Sequence, residues 1–293
     1  MQITAAMVKE LRERTGSGMM ECKKALQAVD GDMETAIADM RKSGLAKADI
    51  KAGRTAAEGL VVIALSDDLK EAAIVEINCE TDFVSGGDEF KAFTGAVAQR
   101  ILKDSPADVA ALVELPLEEG GSSIETVRQE MVAKIGENMQ VRRFERKSTD
   151  GAFGSYSHGI RMGVLVEMDK NDPALIKDIA MHIAASNPVC VSEDQVPEDL
   201  LAKEKEIFIA QAKESGKPDN IIEKMIVGRI RKYLAEVTLL GQPFVKDPDQ
   251  TVEKLLKSKG AMVKSFNRFE VGEGIEKKQE NFADEVMAQI NAS

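Results

Sequence analysis

The sequence predicts a multidomain α+β protein, and three observations support this fold class. The chain has 293 residues, enough for two or more domains of ordinary size. Residues 1–44 show the three- and four-residue apolar spacing of helices, whereas residues 60–78 change to an alternating, β-branched strand pattern. The strand pattern and the helix after it recur later in the chain, which indicates a repeated α+β unit.

Three short helices are predicted in residues 1–44, and helices this short must pack on one another to be stable. Their candidate N-caps are Thr4, Ser17 and Asp32. Their candidate ends are the pairs Thr15-Gly16, Asp30-Gly31 and Ser43-Gly44. The stretch 45–59 is rich in Lys, Ala and Gly, so we predict that it is a mobile linker.

Two strand hairpins, each followed by a helix, are predicted after the linker. The first has strands at 60–65 and 73–78, and its helix begins near Asp88. The second has strands at 155–160 and 161–168, and its helix ends at Ser186-Asn187-Pro188. Later partner strands of similar texture are predicted at 140–145 and 265–270. We interpret residues 60–147, and residues 148–188 with 238–271, as two copies of one α+β subdomain.

The segment between the second helix and its late strand has a different pattern. It predicts two antiparallel helices, over Pro197–Glu214 and Pro218–Val237, so we expect residues 189–237 to project as a helical hairpin. The C-terminal stretch, residues 272–293, is predicted to contain one more amphipathic helix. Its apolar positions are Phe282, Val286 and Ile290.

The composition excludes several classes of protein. The 39 Lys and Arg residues face 50 Asp and Glu, a net charge of −11 that disfavours binding to nucleic-acid phosphates. Aromatic residues make up 4%, too few for base-stacking platforms. The longest apolar run, 60–65, is far shorter than a membrane span, and we see no signal-peptide pattern. Cys22, Cys79 and Cys190 are widely spaced, so we expect a cytoplasmic protein without a disulfide framework or a zinc site.

Catalytic patterns are scarce in this sequence. It has neither a P-loop nor a GxSxG elbow, and single histidines such as His158 and His182 are more often structural than catalytic. The string Gly86–Phe90 spells the signature pentapeptide of diguanylate cyclases, which keeps a cyclase-like enzyme as an alternative. The residues after it have helical spacing, however, which favours a helix that begins with Asp88 as its N-cap.

Met19 and Met20 are adjacent on the second predicted helix, so their side chains point about 100° apart. Met19 aligns with Cys22 and Leu26 on the predicted core face, whereas Met20 aligns with the polar face. We therefore predict that Met20 is exposed. A flexible thioether in such a position suits a partner surface, although a single exposed apolar residue is also common on ordinary surfaces.

Phe83 lies just after the first predicted hairpin, flanked by the polar residues Asp82 and Ser85. The next helix already fills its apolar face with Phe90 and Phe93. The spacing favours a Phe83 that folds back beneath the loop into the core. The alternative is an exposed aromatic anchor at the end of a strand, the kind of residue that dominates protein interfaces.

Several long motifs, in the right order, resemble the bacterial elongation factor Ts family over nearly the whole chain. The motifs that carry the resemblance are 8–16, 18–26, Thr81–Val84, 135–138, 181–185, 241–245 and 269–274. Residues 102–123 look variable within that family. The resemblance implies a guanine-nucleotide exchange factor that binds the translational GTPase elongation factor Tu, both with GDP and without nucleotide.

The resemblance also implies an architecture and a set of partners. Residues 1–44 would be a ubiquitin-associated-like module, and the hairpin would be a coiled-coil or dimerisation element, which leaves a homodimer or a heterotetramer open. Residues 272–293 would be a C-terminal module. Such a factor has no catalytic residue, cofactor or metal, and no direct contact with nucleic acid or membrane. A passive scaffold that uses the 1–44 module and the hairpin remains a third alternative.

The resemblance further implies a set of partner-binding residues, namely Thr81, Asp82, Phe83, Val84, Met19, Met20, His158 and Gly159. Phe83, assisted by Asp82, would insert between helices of the GTPase domain, shift one of them and disturb the magnesium site. The methionine pair would contact another helix of that domain. The turn with His158 would face the third domain of the GTPase.

Overall fold

The computed structural model describes residues 3–214 and 218–276 and shows a mixed α+β protein, as predicted. Its helices are α1 Ala5–Thr15, α2 Met19–Ala28, α3 Met33–Lys51, α4 Asp82–Ser85, α5 Asp88–Asp104, α6 Val109–Glu114, α7 Ile124–Ile135, α8 Pro173–Ser186, α9 Glu198–Glu214, α10 Asp219–Val237 and α11 Val252–Lys259. Its strands are β1 Glu58–Leu65, β2 Glu71–Cys79, β3 Met139–Ser148, β4 Ala152–His158, β5 Met162–Met168, β6 Pro243–Phe244, β7 Asp247–Thr251 and β8 Val263–Glu270. The predicted tail helix with Phe282, Val286 and Ile290 lies outside the described residues.

The chain divides into two compact units. Of the described residues, the first unit contains 3–60, 75–144 and 271–276, and the second contains 61–74, 145–214 and 218–270. The division passes through strands β1, β2 and β3. No helix in the described ranges combines the length and apolarity that crossing a membrane requires.

The three N-terminal helices begin largely as the sequence predicted. Thr4 Oγ1 accepts the N–H of Met7 at 3.3 Å, and Asp32 Oδ1 accepts the N–H of Thr35 at 2.8 Å, so both predicted caps are confirmed. The predicted Ser17 cap is wrong. The chain stays extended through Gly18, so Gly18 rather than Ser17 occupies the N-cap position of α2. Gly18 has no side chain that could cap the helix. The helices enclose a small core of Val8, Leu11, Cys22, Leu26 and Ala36.

The third helix is longer than predicted. We expected it to end at Ser43-Gly44, but α3 continues to Lys51, so residues 45–51 of the predicted linker are helical. Gly44 is buried against α7, and a Cβ atom added to it would lie 3.0 Å from the Cβ of Ala133. The missing side chain lets the two helices approach closely. That packing offsets the cost of a helical glycine, about 0.5–1 kcal/mol.

Two three-stranded sheets have the same plan, each made of a hairpin and a strand from later in the chain. Their strand orders are β1-β2-β3 and β4-β5-β8, which confirms both predicted hairpins and both late strands. In the second sheet the pairing is antiparallel throughout, with Val164 opposite both Tyr156 and Arg268. Helix α8 packs on this sheet and buries Ile176 and Ile179 against it.

Helices α6 and α7 lie where the sequence predicted neither helix nor strand. Asp108 Oδ1 accepts the N–H of Ala111 at 2.8 Å, and Ser123 Oγ accepts the N–H of Thr126 at 3.2 Å, so both helices have side-chain N-caps. Helix α7 packs against α3. These caps were the sequence signal that the prediction missed.

The helical hairpin is confirmed as α9 and α10, which pack on each other. The rings of Phe208 and Tyr233 meet edge to face with centroids 6.3 Å apart, and the guanidinium of Arg229 lies 5.8 Å from the centre of the Phe208 ring. The connection at 215–217 lies outside the described residues.

Candidate partner-binding surface

Residues 81–87 form a single helical turn between β2 and α5, where the sequence predicted an irregular connection. Thr81 is the N-cap of α4, and its Oγ1 accepts the N–H of Val84 at 3.4 Å. The N–H of Gly86 closes the turn on the carbonyl of Asp82 at 2.9 Å, and Ser85 Oγ donates to the same carbonyl at 3.1 Å. The turn therefore provides hydrogen-bond partners for several of its own backbone groups.

Phe83 is 89% exposed, more than the other large apolar side chains of the described chain. The expectation that it folds back into the core is wrong, and the alternative of an exposed aromatic residue is confirmed. The physical reason is the direction of α4. Val84 and Ser85 face inward and are buried, so Asp82 and Phe83, on the opposite side of the turn, face solvent.

A second segment, the turn after α7, fixes the start of α4. The carboxylate of Glu137 accepts both the N–H of Thr81 at 3.0 Å and its hydroxyl at 2.8 Å. The neighbouring Asn138 donates its N–H to Glu80 Oε1 at 2.6 Å and its side-chain amide to the carbonyl of Arg54 at 2.8 Å. Glu137 and Asn138 belong to one of the family motifs, but no local pattern in the sequence indicates that they contact the α4 turn.

Cys79 lies beneath the same turn. It is fully buried, and its Sγ donates to the carbonyl of Thr81 at 3.1 Å. Burial, together with the negative charge of Glu137, raises the pKa of the Cys79 thiol to about 12. The thiol is therefore neutral at physiological pH, and it acts as a hydrogen-bond donor rather than a nucleophile.

The structure contradicts the setting that a cyclase motif would need. Gly86–Phe90 spans the end of α4 and the first turn of α5 instead of a turn between two strands, and Phe90 is only 1% exposed. The N-cap of α5 is Gly87, so the predicted cap at Asp88 is wrong by one residue; Asp88 is the first helical residue. Its carboxylate still lies in the first turn, where the helix dipole favours negative charge.

The two methionines of α2 are both exposed, Met19 by 49% and Met20 by 64%. The prediction for Met20 is confirmed, whereas the predicted inward position of Met19 is wrong. Met19 is the first residue of α2 and lies almost a full turn before Cys22, where the buried cluster of this helix begins. It thus extends beyond the core that the three helices enclose.

His158 and Gly159 lie in the second unit, at the turn that joins β4 to β5. His158 ends β4, is exposed, and has its Nδ1 3.2 Å from the hydroxyl of Tyr156. Gly159 adopts a φ of +61°, the left-handed conformation that a glycine accepts without strain. Both residues are therefore presented on an exposed turn.

His182 is fully buried and has a structural role. Its Nδ1 accepts the N–H of Val245 at 3.2 Å, which leaves Nε2 to donate to Gln242 Oε1 at 2.9 Å. Burial lowers the pKa of His182, and the Gln242 bond opposes this only in part, so the ring is neutral. Gln242 in turn donates to the carbonyl of Glu236 at 2.8 Å, which connects α8 to the end of α10.

Exposed apolar side chains near hydrogen-bonded turns, such as Phe83 in the first unit, are typical of the class of proteins that bind other proteins. Within the described ranges no group of three or more His, Cys, Asp or Glu side chains is placed as metal ligands would be.

Comparison with known proteins agrees with this class. The family model described as elongation factor TS matches residues 80–273. The chain is 64% identical to elongation factor Ts of Thioalkalivibrio sulfidiphilus and 61% identical to that of Halorhodospira halophila, in each case over the full length of both chains. It is 63% identical to elongation factor Ts of Methylococcus capsulatus, again over both full lengths. The chain belongs to the elongation factor Ts family and is a translation elongation factor.

Proposed function

We propose that this chain binds the GTPase elongation factor Tu and promotes release of its GDP, with Phe83 as the residue that enters the GTPase domain. The observation that carries the proposal is the exposure of Phe83, 89%, on a turn whose cap residue, Thr81, is hydrogen bonded to Glu137 and to buried Cys79. A ring that is exposed on a turn held by hydrogen bonds is available for burial by a partner, and buried aromatic side chains of this kind dominate the binding energy of interfaces.

The energy for the exchange comes from burial of that ring. Burying a Phe side chain gains about 1.5–3 kcal/mol, and this gain exists only when a partner covers the ring. In the proposed complex Phe83 enters between helices of the GTPase domain with the help of Asp82. The shifted helix disturbs a magnesium ion that neutralises the phosphates of GDP, so the nucleotide binds less tightly. By linkage, the nucleotide must weaken binding of the factor by the same amount.

The other partner-binding residues have distinct proposed roles. Met19 and Met20 contact a second helix of the GTPase domain, since flexible thioethers adapt to an apolar surface. The exposed turn with His158 and Gly159 faces the third domain of the GTPase. Thr81 and Val84 act by holding α4, because one caps the helix and the other is buried beneath it.

The proposal includes an organisation of the chain into modules. A ubiquitin-associated-like module occupies 1–44, the stretch 45–59 joins it to two repeated α+β subdomains, and residues 272–293 form a C-terminal module. The subdomains are 60–147, and 148–188 with 238–271, which the matching strand orders of the two sheets support. The hairpin, 189–237, serves a homodimer or a heterotetramer. The factor is cytoplasmic, is not itself an enzyme, and uses no cofactor, metal, nucleic acid or membrane.

Release of a fluorescent GDP analogue from purified elongation factor Tu tests this proposal. We expect Phe83→Ala to slow the exchange about ten- to hundredfold, a loss of ~1.4–2.8 kcal/mol of coupling. The matched control is Ile50→Ala on α3, another apolar side chain that is 80% exposed, which should exchange at the wild-type rate. Unchanged exchange by Phe83→Ala would refute the proposed role of Phe83. Absence of exchange by the wild type would refute the proposed function itself.

A further inference from the structure

We propose that Glu137 is a positioning residue for nucleotide exchange, which holds the α4 turn and thereby presents Phe83 in the conformation that enters the partner. This inference depends on the proposed function of Phe83. It assigns a role to a side chain that is distant from Phe83 in sequence and is not itself an apolar contact residue.

The α4 turn needs bonds from outside because it is too short to be stable alone. It has four residues, and the first turn of a helix is an unfavourable nucleus that fixes several backbone angles for one hydrogen bond. Phe83 does not stabilise it, since its ring is exposed. Inward packing of Val84 and Ser85 fixes the end of the turn, which leaves its start to be fixed by other groups.

Glu137 provides two bonds at that start, both to Thr81. One carboxylate oxygen accepts the N–H of Thr81 at 3.0 Å, and the other accepts the Thr81 hydroxyl at 2.8 Å. Bonds to an ionised carboxylate are stronger than neutral ones. The second bond also orients the cap. Because the hydroxyl proton points to Glu137, the lone pairs of Thr81 Oγ1 remain free to accept the N–H of Val84.

The backbone that carries Glu137 is itself held. Gly136 ends α7 in a left-handed conformation with a φ of +94°, and its N–H bonds to the carbonyl of Val132 at 2.9 Å. On the other side, buried Asn138 bonds to Glu80 and to the carbonyl of Arg54. The carboxylate thus connects two fixed segments. Without it the start of α4 gains conformational freedom, and binding of Phe83 must then restore the order at a cost in free energy.

A double-mutant cycle on the full-length chain tests whether Glu137 acts through Phe83. GDP release from elongation factor Tu is measured with wild type, Glu137→Ala, Phe83→Ala and the double variant. We expect Glu137→Ala to slow the exchange about five- to tenfold in the wild-type background, and less than about twofold when Phe83 is already Ala. Glu118→Ala, which removes an exposed carboxylate from the connection between α6 and α7, is the control and should exchange normally.

Two further measurements separate positioning from general stability. Glu137→Gln keeps the length of the side chain and one good acceptor oxygen, so it should recover part of the rate and slow the exchange only about two- to threefold. Hydrogen exchange of the Val84 amide should accelerate in Glu137→Ala, while amides of α8 in the second unit should keep their protection.

The outcomes distinguish the two proposals. If Phe83→Ala slows the exchange but Glu137→Ala slows it equally in both backgrounds, or not at all, Glu137 is not a positioning residue and the role of Phe83 stands. An equal loss in Glu118→Ala would likewise overturn the inference, because the effect would be unspecific. If Phe83→Ala exchanges as fast as wild type, the role of Phe83 fails and that of Glu137 fails with it.

Discussion

The buried carboxylate of Glu76 accepts the backbone N–H of Gly272 at 2.8 Å, although 196 positions separate the two residues in sequence. The same carboxylate bonds to Arg142 Nη1 at 2.9 Å and to Arg143 Nε at 2.6 Å. Burial alone raises the pKa of Glu76, but the Gly272 bond and then the two guanidinium bonds together lower it below the ordinary value. One charged group thus connects strands β2 and β3 to the segment that follows β8.

Loss of this carboxylate should destabilise the protein. We expect Glu76→Ala to lower the free energy of unfolding by about 2–4 kcal/mol, because it removes one acceptor from each of two partly buried arginines and the acceptor of a backbone N–H. Urea denaturation at pH 7 measures the change. Glu71→Ala is the matched control, since this half-exposed glutamate pairs with Arg146 and should cost less than about 1 kcal/mol. Equal losses in the two variants would contradict the role of Glu76.

Two phenylalanines seven positions apart should differ sharply in their contribution to stability. Phe90 is buried in the core, and Phe90→Ala should cost about 3–5 kcal/mol because it leaves a cavity. Phe83→Ala should change the free energy of unfolding by no more than about 0.5 kcal/mol, since its ring is exposed. Thermal and urea unfolding measure both. A large loss in Phe83→Ala would mean that its effect on exchange is a folding defect.

The stability of the protein should fall as the pH drops below about 6.5, partly because of His182. Its pKa is lowered in the folded state, so between the folded value and the ordinary value of about 6.5 the unfolded chain binds more protons. The free energy of unfolding therefore rises with pH in this window, by at most about 1.4 kcal/mol per pH unit, and levels off above it.

The variant His182→Gln tests that assignment. Its amide supplies a donor and an acceptor to Gln242 and Val245 but has no titration near neutrality. We expect the slope of the unfolding free energy against pH, just below about pH 6.5, to be smaller than in wild type. Wild type and His182→Gln both contain His158, so the difference between their two slopes reports on His182 alone. Carboxylates with lowered pKa values, such as Glu76, lose their contribution only at lower pH. An unchanged slope would rule out His182 as a source of the pH dependence of stability.

The methionine pair should affect binding without affecting stability. Met19→Ala and Met20→Ala should each weaken affinity for nucleotide-free elongation factor Tu by about three- to tenfold, because each removes apolar area that a partner would cover. Calorimetric titration measures the affinity. Their neighbour Leu26 is buried, so Leu26→Ala should instead destabilise the protein by about 2–5 kcal/mol. Wild-type affinity in both methionine variants would exclude the pair from the interface.

Much of the local structure was predictable because its causes are local. The hairpins β1-β2 and β4-β5 were predictable because each is a pair of strand-like runs that are neighbours in sequence and are joined by a short turn. The caps at Thr4 and Asp32 form with backbone groups three residues away. The family motifs were equally accessible, because they are strings of neighbouring residues that match the relatives over the whole chain.

The predictions that were wrong share a different cause, which is packing between segments far apart in sequence. The end of α3 could not be predicted from Ser43-Gly44, because what continues the helix is the close approach of Ala133 on α7. A glycine favours a helix end locally, but tertiary packing can override that preference.

By itself, the sequence determined the α+β class, the paired hairpins, the helical hairpin and the family, all of which follow from patterns within short windows. Only the tertiary structure decided that Phe83 faces solvent and that Glu137 holds Thr81, the residue that caps the turn and lies 56 positions before Glu137. Exposure is a property of the whole packed surface, because a side chain is buried only if other segments cover it. No local pattern around Phe83 specifies which segments those are.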